Sequence, residues 1–180
     1  MKHKNTNIMI AKNYLKYSIM AIAMILFLGC STESTNEDLN LTTSRANNGY
    51  QFNASLKGAN EVPAVLSKGA GQAIVRIKKS EDEIRYKLIT ANIEDVLFAH
   101  FHMAPAGSNG GVVATLYFND NPQPSGPANG VLAEGVITAS DVSGALAGDL
   151  DSLIDAIRNG MIYVNVHTAA VPSGELRGQL

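Results

Sequence analysis

From residue 50 onward the chain repeats one device: short runs in which apolar and polar residues alternate, each closed by Gly, Pro, Asn or Asp. Successive side chains on an extended strand point to opposite sides, so such alternation marks a strand with one buried and one open face. In EIRYKLITA, Ile84, Tyr86, Leu88 and Thr90 share a face, and Arg85 and Lys87 occupy the other. YQFNASL, GQAIVRIKK, VLFAHFHMA, GGVVATLYF, GVLAEGVIT, MIYVNVHT and GELRGQL repeat it, giving eight short strands. The pattern predicts an all-β fold, an antiparallel Greek-key β-sandwich or barrel of about eight strands with one short helix. PQPSGP (122–127) interrupts the alternation and reads as an exposed loop.

The helix is the one departure from period two. In GDLDSLIDAIRNG, Leu150, Leu153, Ile154 and Ile157 fall at i, i+3, i+4 and i+7, an apolar stripe on a helix. Asp149 or Asp151 is placed to cap its first turn, Arg158 lies near its negative end, and Gly160 follows it. It is expected to close one open end of the β-structure.

Residues 1–29 belong to a different class. Lys2, Lys4, Lys12 and Lys16 precede an apolar run from Ile19 to Leu28, which is too short for the roughly 20 residues of a membrane-spanning helix. The segment reads as a signal peptide (1–29). Phe27, Leu28 and Gly29 lead into Cys30 in the manner of a bacterial lipobox, and Cys30 is the only cysteine. A disulfide within the chain is thereby excluded, and Cys30 is the expected site of lipid attachment. Residues 30–48, rich in Ser, Thr, Asn and acid, read as a lipidated cysteine and flexible tether, and 49–180 as the domain. These features predict a membrane-anchored lipoprotein of the bacterial cell envelope, periplasmic or surface-exposed.

Loss of the leader removes 4 of 14 basic residues and none of 16 acidic ones, leaving a net charge of −6. An acidic domain without a basic cluster is not a nucleic-acid partner. Membrane association is then covalent, and the binding partner expected of the domain is an extracellular or periplasmic component.

The chemistry-bearing residues are few. Besides His3 in the leader, the histidines are His100 and His102 in AHFHMAPAGSNGG and His167 in YVNVHT. Alternation places His100 and His102 with Phe98, opposite Leu97, Ala99, Phe101 and Met103. It places His167 with Tyr163 and Asn165, opposite Ile162, Val164 and Val166. If the two strands are neighbours, three imidazoles converge at one end of the sandwich, near Glu175 or Arg177. Such a set suits copper or zinc, with binding that weakens as pH falls through the histidine range near 6.5. The alternative reading is structural: the rings hydrogen-bond backbone groups of nearby loops and brace the fold. Glu175 and Arg177 also alternate onto one face and read as a buried ion-pair network or a ligand contact, with Glu61 a candidate partner for the arginine. GSNGG (107–111) reads as a tight loop and not a phosphate cradle, since no helix follows it.

The H-x-H strand is similar to that of copper–zinc superoxide dismutase, but that enzyme's disulfide and its further histidine ligands have no counterpart here. Four segments in order resemble the CHRD domain, named for chordin and found in many bacterial secreted proteins. They are FNASLKGANEVPAVLSKGAGQA (52–73), AHFHMAPAGSNGGVVATL (99–116), LDSLIDAIRNG, and YVNVHTAAVPSGELRGQ (163–179). The resemblance implies a β-sandwich domain and implies no enzyme. In chordin the domain belongs to an extracellular growth-factor binder, a partner that does not carry over. The expected function is thus a non-enzymatic, lipid-anchored envelope module with a binding or scaffolding role. The alternative is a copper- or zinc-binding protein.

Overall fold

All eight alternating runs form strands in the computed structural model, which describes residues 50–121 and 123–180. The leader, Cys30 and the tether lie outside the described residues. In chain order the strands are β1 (Gln51–Lys57), β2 (Ala70–Ile77), β3 (Ile84–Glu94), β4 (Val96–Met103), β5 (Gly111–Phe118), β6 (Pro127–Ile137), β7 (Ile162–Thr168) and β8 (Leu176–Gln179). The loop expected over 122–127 ends one residue sooner, because Pro127 already opens β6, a first-residue position where a missing N–H is tolerated.

The strands make one sheet in the order β5-β4-β7-β8-β1-β2-β3-β6, with every neighbouring pair antiparallel. The sheet curls until its edge strands β5 and β6 face each other. Across that seam the Tyr86 hydroxyl of β3 donates to the Leu116 carbonyl of β5 at 2.7 Å. The architecture is therefore a nearly closed barrel, the second of the two all-β forms the alternation allows. The inner face carries Leu56, Val75, Leu88, Phe101, Val164 and Leu176, all fully buried.

Helix α1 (Leu150–Arg158) lies where the 3.6 period places it. Asp149 caps it, accepting from the Ser152 N–H at 2.9 Å. Leu153, Ile154 and Ile157 join the same apolar core as the strands. Arg158 grips Glu81 in the β2–β3 turn at 2.7 and 3.2 Å and lies 5.8 Å over the Tyr50 ring. These contacts fix α1 at the end of the barrel where β1 begins and β2 turns into β3.

Strand β7 departs from simple alternation in burial. Its outward residues Tyr163 and Asn165 are as buried as its inward ones, each 3% exposed. Loops cover them from outside: the stretch after β1, the β4–β5 loop and the β7–β8 loop. Pairing β7 between β4 and β8 thus makes a covered polar patch on the outer face of the barrel, and the site is built there.

Candidate metal centre

Strand β4 supplies His100 and His102, strand β7 supplies His167, and the two strands are hydrogen-bonded neighbours. Their register sets His100 opposite Asn165 and Phe98 opposite His167, so His167 sits diagonally across from His100. The ring centroids are 5.6 Å apart for His100–His102, 5.2 Å for His100–His167 and 5.8 Å for His102–His167. One nitrogen from each ring lies within 4.8 Å of the other two. Zinc or copper holds imidazole nitrogen at about 2.0–2.1 Å, so each ring would advance by about 0.7 Å or less to reach a shared ion.

The three rings come together as the two alternations imply, on the face turned away from the aliphatic side chains. The cluster occupies the outer face, because Ala99, Phe101, Val164 and Val166 take the inner one.

Hydrogen bonding fixes the tautomers. His102 Nδ1 is 2.9 Å from the Gly110 carbonyl, and His167 Nδ1 is 3.0 Å from the Pro172 carbonyl. A carbonyl only accepts, so both Nδ1 atoms carry the proton and both Nε2 atoms of the neutral rings keep a free lone pair. Those two Nε2 atoms and His100 Nδ1 are shielded from solvent and have no hydrogen-bond partner among the described residues. Buried polar atoms are ordinarily satisfied; one such orphan on each of three rings that also bring one nitrogen apiece within 4.8 Å of the others is the pattern of a ligand set. Bracing and ligation are therefore compatible here: in His102 and His167 one nitrogen braces a loop while the other is free.

Burial lowers the pKa of all three. For His100 the value falls to about 4, with desolvation the main cause and repulsion from His167 and His102 the next. Desolvation also lowers His102, against the Gly110 hydrogen bond and with His167 and Arg177 adding to the fall. His167 is lowered by desolvation against its bond to Pro172. Proton competition for these rings is thereby displaced below the ordinary histidine value. For the metal-free protein the sign is fixed: between about 6.5 and 4 the unfolded chain takes up a proton that folded His100 refuses. Stability should fall as pH drops through that window. Urea midpoints from pH 8 to 4 should show a steeper decline for wild type than for His100→Gln, and equal declines would contradict the site's neutral state.

The surrounding shell is aromatic and cationic. Tyr163 stacks on His102 at 4.9 Å and 13°, and Phe98 stacks on His100 at 5.8 Å and 21°. Arg177, 2% exposed, lies 3.5 Å over the Tyr163 ring. Its guanidinium donates to Asn109 Oδ1 at 3.0 Å and to the Ser108 carbonyl. It thereby holds the loop whose Gly110 carbonyl orients His102. Gly110 is required there, since a Cβ would stand 1.9 Å from the Met103 carbonyl oxygen.

The ion-pair network expected of Glu175 and Arg177 is not formed among the described residues. Glu175 instead accepts from Ser67 and Thr168 hydroxyls, each at 2.6 Å, and ties the loop after β1 to β7. Glu61 accepts from Asn165 Nδ2 at 2.6 Å and does not pair with the arginine. Asn109 and Gly110 are site residues that the sequence reading left inside a tight loop. Their roles run through a side-chain amide and a backbone carbonyl, for which no residue pattern is diagnostic.

A family model described as the CHRD domain matches residues 52–180. No curated protein and no solved structure matches the chain.

Proposed function

The chain belongs to the CHRD domain family, and from that premise we propose that it is a lipid-anchored, non-enzymatic module of a bacterial cell envelope that binds a zinc or copper ion. His100, His102 and His167 are its ligands. One observation carries the metal reading: three clustered rings each hold a shielded, unpartnered nitrogen, and two of the rings are locked by carbonyls in the ligating tautomer. Three neutral imidazoles leave a fourth position to a water or another donor, an arrangement both ions accept. Metal analysis of the purified full chain, with and without His167→Ala, tests the assignment.

The anchor rests on the sequence: a basic stretch, a short apolar run, and the single cysteine directly after it. The tether of 30–48 would then hold the acidic domain off the membrane, where it meets an extracellular or periplasmic partner. Cys30→Ala should remove labelled fatty acid from the protein and shift it out of the membrane fraction. Unchanged labelling would rule out lipid attachment at that residue.

A further inference from the structure

A cavity of about 320 Å³ opens beside the histidine cluster, between the loop after β1, the β4–β5 loop and the β7–β8 loop. Its floor holds Glu61 and Asn165, and Val62, Pro63 and Val65 form an aliphatic wall. Glu61 is 9% exposed, yet among the described residues no lysine, arginine or histidine forms an ion pair with it. The nearby guanidinium of Arg177 is engaged by Ser108, Asn109 and the Tyr163 ring. One Glu61 oxygen accepts from Asn165 Nδ2. The same Asn165 amide group also reaches the Leu176 carbonyl at 3.5 Å, which leaves Asn165 only its carbonyl oxygen to offer a ligand.

We propose that this cavity binds a primary ammonium group on an aliphatic stem, as a lysine side chain or a small alkylamine presents it. A buried carboxylate with no cation in contact, Arg177 acting on it only from a distance, is a costly arrangement that an entering cation relieves. The carboxylate and the Asn165 carbonyl supply acceptors for an ammonium's three N–H donors, and Val62, Pro63 and Val65 cover its methylenes. Burial, the largest influence on Glu61, raises its pKa against the Asn165 hydrogen bond and the Arg177 charge, and a bound cation would further oppose that rise. An anion would meet the carboxylate head-on. The cavity's size lies in the range of small-molecule sites, and the chain's excess of acidic over basic residues draws cations toward it.

Calorimetric titration of the full chain in detergent, with n-butylamine and with Nα-acetyl-lysine-N-methylamide, tests this. Saturable binding of either probe is expected. Acetylating the ε-amine should weaken the lysine probe by about tenfold or more, as should Glu61→Gln. Ala64→Trp, at an exposed position on the cavity's rim, should block entry while leaving the unfolding midpoint unchanged. This variant keeps the test sharp should Glu61→Gln fail to fold. Binding of butylamine as tight as that of the lysine probe supports a free amine as the source. Binding of the lysine probe alone supports a polypeptide. No saturable binding of either, or wild-type affinity in both variants, overturns the proposal, and neither outcome bears on metal uptake by the histidines.

Discussion

Replacing Ile154 by alanine should lower the free energy of unfolding by about 2–5 kcal/mol, the range for truncating a fully packed aliphatic side chain. Ile154 is 1% exposed, and its neighbours on the stripe, Leu153 and Ile157, are 0% and 1% exposed. All three share one core with the strands, so the vacated volume is enclosed on the strand side as well as the helix side. The helix itself has limited means to repack. It is nine residues long, capped by Asp149 at one end and tied through Arg158 to Glu81 at the other. Asp155→Ala, on the exposed side of the same helix, should change stability by less than about 0.5 kcal/mol. Urea unfolding of the two variants provides the comparison. A loss below about 0.5 kcal/mol for Ile154→Ala would mean that α1 is an appendage and does not close the barrel.

The helix and the strands were legible because each is a local pattern. Leu150, Leu153, Ile154 and Ile157 mark a helix by spacing alone, and Ala99 and Phe101 against His100 and His102 mark a strand with two unlike faces. The consequences of strand pairing were legible only conditionally. His167 is distant in sequence from His102, and nothing local states that β7 inserts between β4 and β8. Given that insertion, the two alternations bring the three rings together. The least legible residue was Arg177. Its alternation with Glu175 suggested an ion pair, but Glu175 is turned to Thr168 and Ser67 while Arg177 lies across Tyr163. A guanidinium satisfied by a ring face, a carbonyl and an amide has no counterpart in charge pairing. Glu61 feels the Arg177 charge but makes no contact ion pair with it among the described residues, and its hydrogen-bonding neighbour is Asn165, which the loop after β1 brings it to.

The second large effect concerns the ligands. Removing any one of the three imidazoles should eliminate high-affinity metal uptake, because two nitrogens on a rigid sheet hold zinc or copper far less well than three. The fold should survive at His167, whose ring hydrogen bond among the described residues is the single one to the Pro172 carbonyl on the adjacent loop. His102→Ala should cost more, since it also releases the Gly110 carbonyl and uncovers the Tyr163 ring. Loss of uptake in a His167→Ala protein that still unfolds cooperatively, with a midpoint lowered by no more than one hydrogen bond's worth, therefore separates ligation from bracing. The pH profile adds a second signature. With all three rings lowered by burial, affinity should be flat from pH 8 to about 6.5 and decline only below it.

Calorimetric titration of the metal-free full chain with zinc and with copper at pH 7.5, alongside His167→Ala, addresses the metal site directly. The geometry predicts saturable uptake of about one ion per chain by wild type, and none of comparable affinity by the variant. Absence of saturable uptake by wild type, or equal uptake by His167→Ala, would contradict a metal centre at His100, His102 and His167.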